Sequence, residues 1–138
     1  MPPLSHPPDA LSDGTRLKLG RVLVVDDEPL LLLVVAGFLQ EHTVECVEAE
    51  SAAEALGHFQ PGAFDLVITD RTMPGMDGMA LTGEIRKIHP PQRVLMISGM
   101  HPGDPLSAGP DGGPDAFLAK PFTRAQMLES VFQLFRDR

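Results

Sequence analysis

The sequence has no tryptophan and no tyrosine, and its aromatic content of 5% is phenylalanine alone, so it lacks the stacking platforms that hold single-stranded nucleic acid. Cations are scarce as well. With 11 Lys and Arg against 19 Asp and Glu, the formal net charge is -8 and the pI about 4.9. No cluster of basic residues is present to neutralise a run of phosphates, which argues against direct nucleic-acid binding, and the acidity reads as solubility. The single cysteine, Cys46, rules out an intrachain disulfide, and its place in an alternating apolar stretch reads it as a small buried hydrophobe. The longest apolar run, residues 30–39, falls well short of the roughly 20 residues that a helical span needs, so no membrane partner is expected. The opening MPPLSHPPDALSDG has neither a basic n-region nor an apolar h-region; no secretory signal is expected, and the location read from this is cytoplasmic. The five histidines, His6, His42, His58, His89 and His101, match no metal-ligand spacing.

What is present fits one globular domain of common size, with a hydrophobic content of 43%. Residues 1–18 carry four prolines and no apolar period, which predicts a flexible tail or linker ahead of a domain over 19–138. Residues 21–25 and 44–48 read as strands, and residues 30–41 as a helix opened by Pro29. That helix is expected to turn Leu31, Val34, Val35 and Phe38 toward a sheet, leaving Leu30, Leu32 and Leu33 pointing elsewhere. Ser51 with Glu54 forms a capping box for a second helix. A third helix over 79–89 should face inward through Leu81, Ile85 and Ile88, and residues 93–97 and 116–119 supply two more strands. A last helix, capped at Thr123, should face inward through Met127, Leu128, Val131 and Leu134. The alternating order predicts a parallel sheet wrapped by helices.

The chain is organised around FDLVITDRTMPGMDG, residues 64–78, where an apolar run ends in the isolated carboxylate of Asp70 before Met73-Pro74-Gly75 and Asp77-Gly78 force a turn. In an open parallel sheet, chemistry collects at the carboxyl ends of the strands. Four such ends carry polar residues here: Asp26 with Asp27, Asp70, Ser98 and Lys120. Each alone would pass for a cap or a turn residue. Together, two or three close carboxylates repel unless one is protonated or a divalent cation sits among them, and an all-oxygen site this small suits Mg2+. A cation, a lysine and a hydroxyl are also what a phosphoryl group on Asp70 would need around its oxygens.

The set Asp26-Asp27, Asp70 followed by Met73-Pro74-Gly75-Met76-Asp77-Gly78, Ser98, and Lys120-Pro121-Phe122 resembles the receiver domain of bacterial two-component response regulators, over about residues 19–138. The resemblance implies a flavodoxin-like, doubly wound sheet of five parallel strands in the order 2-1-3-4-5. It implies that Asp70 accepts a phosphoryl group from a phosphohistidine on a histidine kinase or phosphotransfer protein. By the same resemblance, Asp26, Asp27, Asp70 and the backbone carbonyl of Thr72 would hold Mg2+, and Lys120 would pair with Asp70 and the phosphoryl oxygens. Ser98 and Phe117 would act as the conformational switch, and the Lys120-Pro121 bond would be cis.

Residues 99–115 hold five glycines and four prolines where the family usually places its fourth helix, so that helix is expected to be reduced or replaced by a loop. Similar shortening occurs in receivers fused to sensor kinases, which points to a kinase-attached receiver or a stand-alone relay whose output avoids the usual face. Thr72 and Met100, at the positions that usually tune phosphate lifetime, offer no group to orient an attacking water, which predicts slow self-dephosphorylation. Leu30, Leu32 and Leu33 are expected to dock a kinase helical bundle or to form a homodimer seam. Two other readings stand beside this one. An aspartate-nucleophile phosphatase would want Asp-x-Asp and a cap over the site, and a pseudo-receiver used only for binding would have little need of the acids and the lysine. The expectation is therefore a signalling module, not a turnover enzyme.

Overall fold

The computed structural model describes residues 18–99 and 113–136. Alternation along the strands decides its layering. β1 (Leu19–Val25), β3 (Leu66–Asp70) and β4 (Val94–Ser98) have scarcely a polar position, as strands covered on both faces require. With β2 (Thr43–Ala49) and β5 (Ala116–Ala119) they form one sheet in the order β2-β1-β3-β4-β5, every neighbouring pair parallel. This is the flavodoxin-like arrangement expected.

Because side chains alternate, Val22, Val24, Leu66, Ile68, Leu95 and Ile97 face one way and meet the helices α1 (Pro29–Leu39) and α4 (Arg124–Arg136). Leu23, Val25, Val67 and Val94 face the other way, against α2 (Ala52–His58) and α3 (Gly78–Ile88). Two cores, one per face, leave the strand ends as the place where polar groups can gather.

Several helix faces differ from expectation. In α1 the buried residues are Leu32, Val35 and Leu39, whereas Val34 is 36% exposed. Leu32 is therefore a core residue, not part of a docking surface. The helix is apolar all round, so composition leaves its rotation open, and only packing between β1 and α4 sets it. Leu30 and Leu33 do stand out, 71% and 66% exposed. In α3 the inner face is Leu81, Thr82 and Ile85; Ile88 is the last residue of the helix and is 46% exposed. In α4 Phe132 is buried, while Leu134 is only partly so.

Caps follow the sequence more closely. Ser51 Oγ accepts from the Glu54 N–H at 3.0 Å, although the Glu54 carboxylate reaches back one residue further than a capping box requires, to the Glu50 N–H. Thr123 and Gln126 make the reciprocal pair at the start of α4. The Lys120-Pro121 bond is cis. Most of the connection between β4 and β5, and with it the expected loss of a helix there, lies outside the described residues, as do Met100 and residues 1–17 of the expected tail.

One structural device has no local sequence signature. Arg86, near the end of α3, is half-buried and donates to the Pro90, Gln92 and Gly113 carbonyls and to Asp115 Oδ2, the last at 3.1 Å. The same carboxylate oxygen accepts from the Val94 N–H at 2.7 Å. Arg86 thus clasps the starts of β4 and β5 together.

Candidate functional site

β1 and β3 are neighbours although β2 lies between them in sequence, so the order of the sheet reverses at their carboxyl ends. This is the switch point where open parallel sheets place their ligands. β1 ends in Val25 and hands Asp26 and Asp27 to the rim; β3 ends in Asp70 itself. One oxygen from each of Asp26, Asp27 and Asp70 lies within 4.8 Å of the others. Ser98 ends β4, where its carbonyl accepts the N–H of Lys120 at 2.8 Å. Lys120 follows β5, two strands from Asp70, and the length of its side chain lets Nζ reach Asp70 Oδ1 at 3.0 Å.

Environment sorts these groups. Asp26 and Asp70 are buried, 2% and 5% exposed, while Asp27 is exposed. Asp26 Oδ1 accepts from the Glu28 N–H at 2.9 Å, a bond to the N-cap residue itself rather than a cap on the first turn of α1. Its other oxygen, Oδ2, is buried with no hydrogen-bond partner. Burial pushes the Asp26 pKa up to about 6; the Glu28 N–H opposes this, Asp70 adds to it, Lys120 opposes and Asp27 adds. The Asp70 pKa is also raised, by burial first, with the Lys120 contact holding it back. For Lys120 burial works toward a lower pKa, but the bond to Asp70 and the charges of Asp70, Asp26 and Glu28 win, and its pKa is raised.

An orphaned carboxylate oxygen next to two further carboxylates is expensive unless something with positive charge fills the gap. Three hard oxygen donors on a rim fit a small divalent cation. Among the described residues this is the one grouping of three or more such ligands.

The structure therefore brings Asp26, Asp27, Asp70 and Lys120 into one pocket, with Ser98 at the adjoining strand end. Thr72 is exposed, two residues beyond Asp70. Phe117 is half-buried in β5, opposite Met96 of β4. A contact absent from the sequence reading is the approach of Gly78 to Asp70: a Cβ at Gly78 would lie 2.2 Å from the Asp70 carbonyl oxygen. The Asp-Gly pair at 77–78 is already accounted for as a turn and helix start, so no further signal marks that contact.

Comparison with known proteins agrees with this geometry. The family model for the response regulator receiver domain matches residues 22–132. The chain is 33% identical over 112 residues to the chemotaxis protein CheY of Bacillus subtilis, covering 80% of this chain and 93% of that protein. It is 33% identical over 118 residues to the transcriptional regulatory protein TcrA of Mycobacterium tuberculosis, covering 84% of this chain but only 46% of that longer protein. Among solved structures, a receiver domain protein from Clostridium thermocellum superposes with a TM-score of 0.77 at 30% identity, covering 86% of this chain and 96% of that one. The response regulator TrrA from Thermotoga maritima, in complex with Mg2+-BeF, gives a TM-score of 0.72 at 36% identity, covering 83% and 98%.

Proposed function

Because the chain belongs to the response regulator receiver domain family, a signalling module of two-component systems, we propose that it accepts a phosphoryl group on Asp70 from a histidine kinase or phosphotransfer protein. The observation that carries this reading is the 3.0 Å Asp70–Lys120 contact beside the three clustered carboxylates. In the transfer, an Asp70 carboxylate oxygen forms a bond to phosphorus as the nitrogen–phosphorus bond of the donor phosphohistidine breaks. The electron pair of the broken bond stays on the imidazole nitrogen, which takes a proton from solvent.

Asp26, Asp27, Asp70 and the backbone carbonyl of Thr72 are the ligands we assign to Mg2+. When bound, the cation supplies charge neutralisation for the carboxylates and polarises the phosphoryl oxygens. The orphaned Asp26 oxygen supports this assignment, as does the Mg2+-BeF complex of TrrA. Lys120 holds Asp70 in place before transfer and offers its ammonium to the phosphoryl oxygens afterwards. Ser98 and Phe117, at the carboxyl edge of β4 and within β5, are the residues we assign to the conformational response. That response is a population shift, limited to the free energy by which the phosphoryl group favours one conformation over the other.

The described residues contain no helix long and apolar enough to cross a membrane. The module we assign spans 19–138, preceded by a tail or linker over 1–18. Leu30 and Leu33, exposed on α1 next to the acidic rim, are the docking contacts we assign for the partner. Self-dephosphorylation is slow in this reading, because Thr72 carries no amide or acid to orient water.

Incubation with acetyl phosphate and Mg2+ tests the proposal. One phosphoryl mass should be gained on Asp70, none in Asp70→Asn or without Mg2+, and the label should outlast seconds. Repeated turnover of a small phosphate ester would favour a phosphatase instead. Absence of any label would favour a binding module that does not use phosphorylation.

A further inference from the structure

Gly78, the first residue of α3, has no room for a side chain. A Cβ there would lie 2.2 Å from the Asp70 carbonyl oxygen and 3.0 Å from Arg71 Cα. Both obstacles are backbone, so neither can swing aside as the end of a flexible side chain would. The need is for space, since the left-handed backbone conformation in this turn falls on Gly75, at φ +77°.

The surrounding bonds close on the same peptide. The Gly78 N–H donates to the Arg71 carbonyl at 2.9 Å, and the Arg71 N–H donates to Ile97 of β4 at 2.8 Å. The Thr69 hydroxyl donates to the Asp70 carbonyl at 2.9 Å. One turn into α3, the fully buried hydroxyl of Thr82 donates to the Gly78 carbonyl at 2.8 Å. The Arg71 N–H also serves the Asp70 carboxylate, while the other bonds run to backbone carbonyls alone. They fix the backbone from which that carboxylate projects.

We propose that Gly78, seated by Thr82, is a positioning residue through which the start of α3 sets where the Asp70 carboxylate stands among Asp26, Asp27 and Lys120. The inference rests on the reading of Asp70 as phosphoacceptor. Asp26 and Asp27 follow β1 and Lys120 follows β5, and the start of α3 abuts the backbone of Asp70 rather than theirs. Displacing the Asp70 peptide by about an ångström is the kind of change that lowers a positioned reaction by up to about 10²-fold.

The test measures maximal labelling rate with acetyl phosphate at saturating Mg2+, and Mg2+ affinity by calorimetry with the metal alone. Gly78→Ala should label at least about tenfold more slowly. It should also weaken Mg2+ binding in the wild-type background but add nothing in an Asp70→Asn background, because the effect runs through Asp70. Equal weakening in both backgrounds would mean a purely structural role and would overturn the inference. Thr82→Val, which removes the hydroxyl at nearly constant shape, should slow labelling several-fold, and Thr82→Ser should restore it. If Gly78→Ala does not fold, the Thr82 pair decides: equal rates for Val and Ser sink the inference, and a slow Val with a normal Ser supports it. A wild-type chain that takes no label on Asp70 overturns the acceptor reading and this inference with it. A labelled wild type matched in rate by Gly78→Ala overturns this inference alone.

Discussion

Asp26 is held by one oxygen and has no partner at the other, and that asymmetry has a pH consequence. Its folded-state pKa, about 6, lies above the ordinary 3.8, so the proton favours the folded chain. In metal-free protein this contribution is fully present below about pH 4 and is lost as the pH rises through about 6. The rise from 3.8 to about 6 corresponds to roughly 3 kcal/mol. Melts in chelator should therefore show Asp26→Asn gaining stability over wild type between pH 4 and 7; parallel curves for the two proteins would contradict the assignment. Mg2+ needs the ionised carboxylate, so its affinity should fall as the pH drops below about 6. Lys120 presents the complementary case. Lys120→Met removes the ammonium 3.0 Å from Asp70 and should lower the acetyl phosphate labelling rate by about 10²-fold, with the fold intact by circular dichroism.

At the scale of elements, α1 separates a core residue from a proposed docking contact within two adjacent positions. Leu32 is 2% exposed and packs against the core, so Leu32→Ala should destabilise by about 2–5 kcal/mol. Leu33 is 66% exposed, so Leu33→Asp should move stability by less than about 0.5 kcal/mol. Leu33→Asp should nevertheless slow phosphotransfer from a cognate kinase while leaving acetyl phosphate labelling unchanged. Phosphotransfer at wild-type rate would remove Leu33 from the docking surface. The same helix shows where sequence reading stops. Strands are readable because an apolar run has the same meaning on either face, and Asp70 and Lys120 are readable because each follows such a run directly. A helix that is apolar all round has length but no phase, and so Leu32 and Val34 trade sides between sequence and structure. Ile88 has the right spacing but is the last residue of its helix and is exposed. The Arg86 clasp and the Gly78 contact depend on residues distant in sequence meeting through loops, and no local pattern encodes that.

For the molecule as a whole, two cores share one sheet, and every residue of β3 is buried between them. The proposed acceptor thus sits at the end of a fully buried strand, and in that reading a signal leaves by the rim and the loops. Burial of Asp26 and Asp70 beside a third carboxylate is an unfavourable feature among the described residues, and a cation should relieve it. Mg2+ at about 100 times its Kd should add about 2.7 kcal/mol of stability, read as a rise in Tm, and Asp27→Ala should reduce that rise. An unchanged melting curve on adding Mg2+ would count against the metal assignment.

The Arg86 clasp bears on how far the molecule depends on its own continuity. β5 is zipped to β4, α4 sinks Met127, Leu128, Val131 and Phe132 into the core, and Arg86 and Asp70 each grip the last quarter of the chain through Asp115 and Lys120. None of these ties passes along the backbone between residues 99 and 113. Two polypeptides divided within that interval and produced separately should find each other, co-elute as a one-to-one pair, and together regain the Mg2+-dependent labelling that neither half has alone.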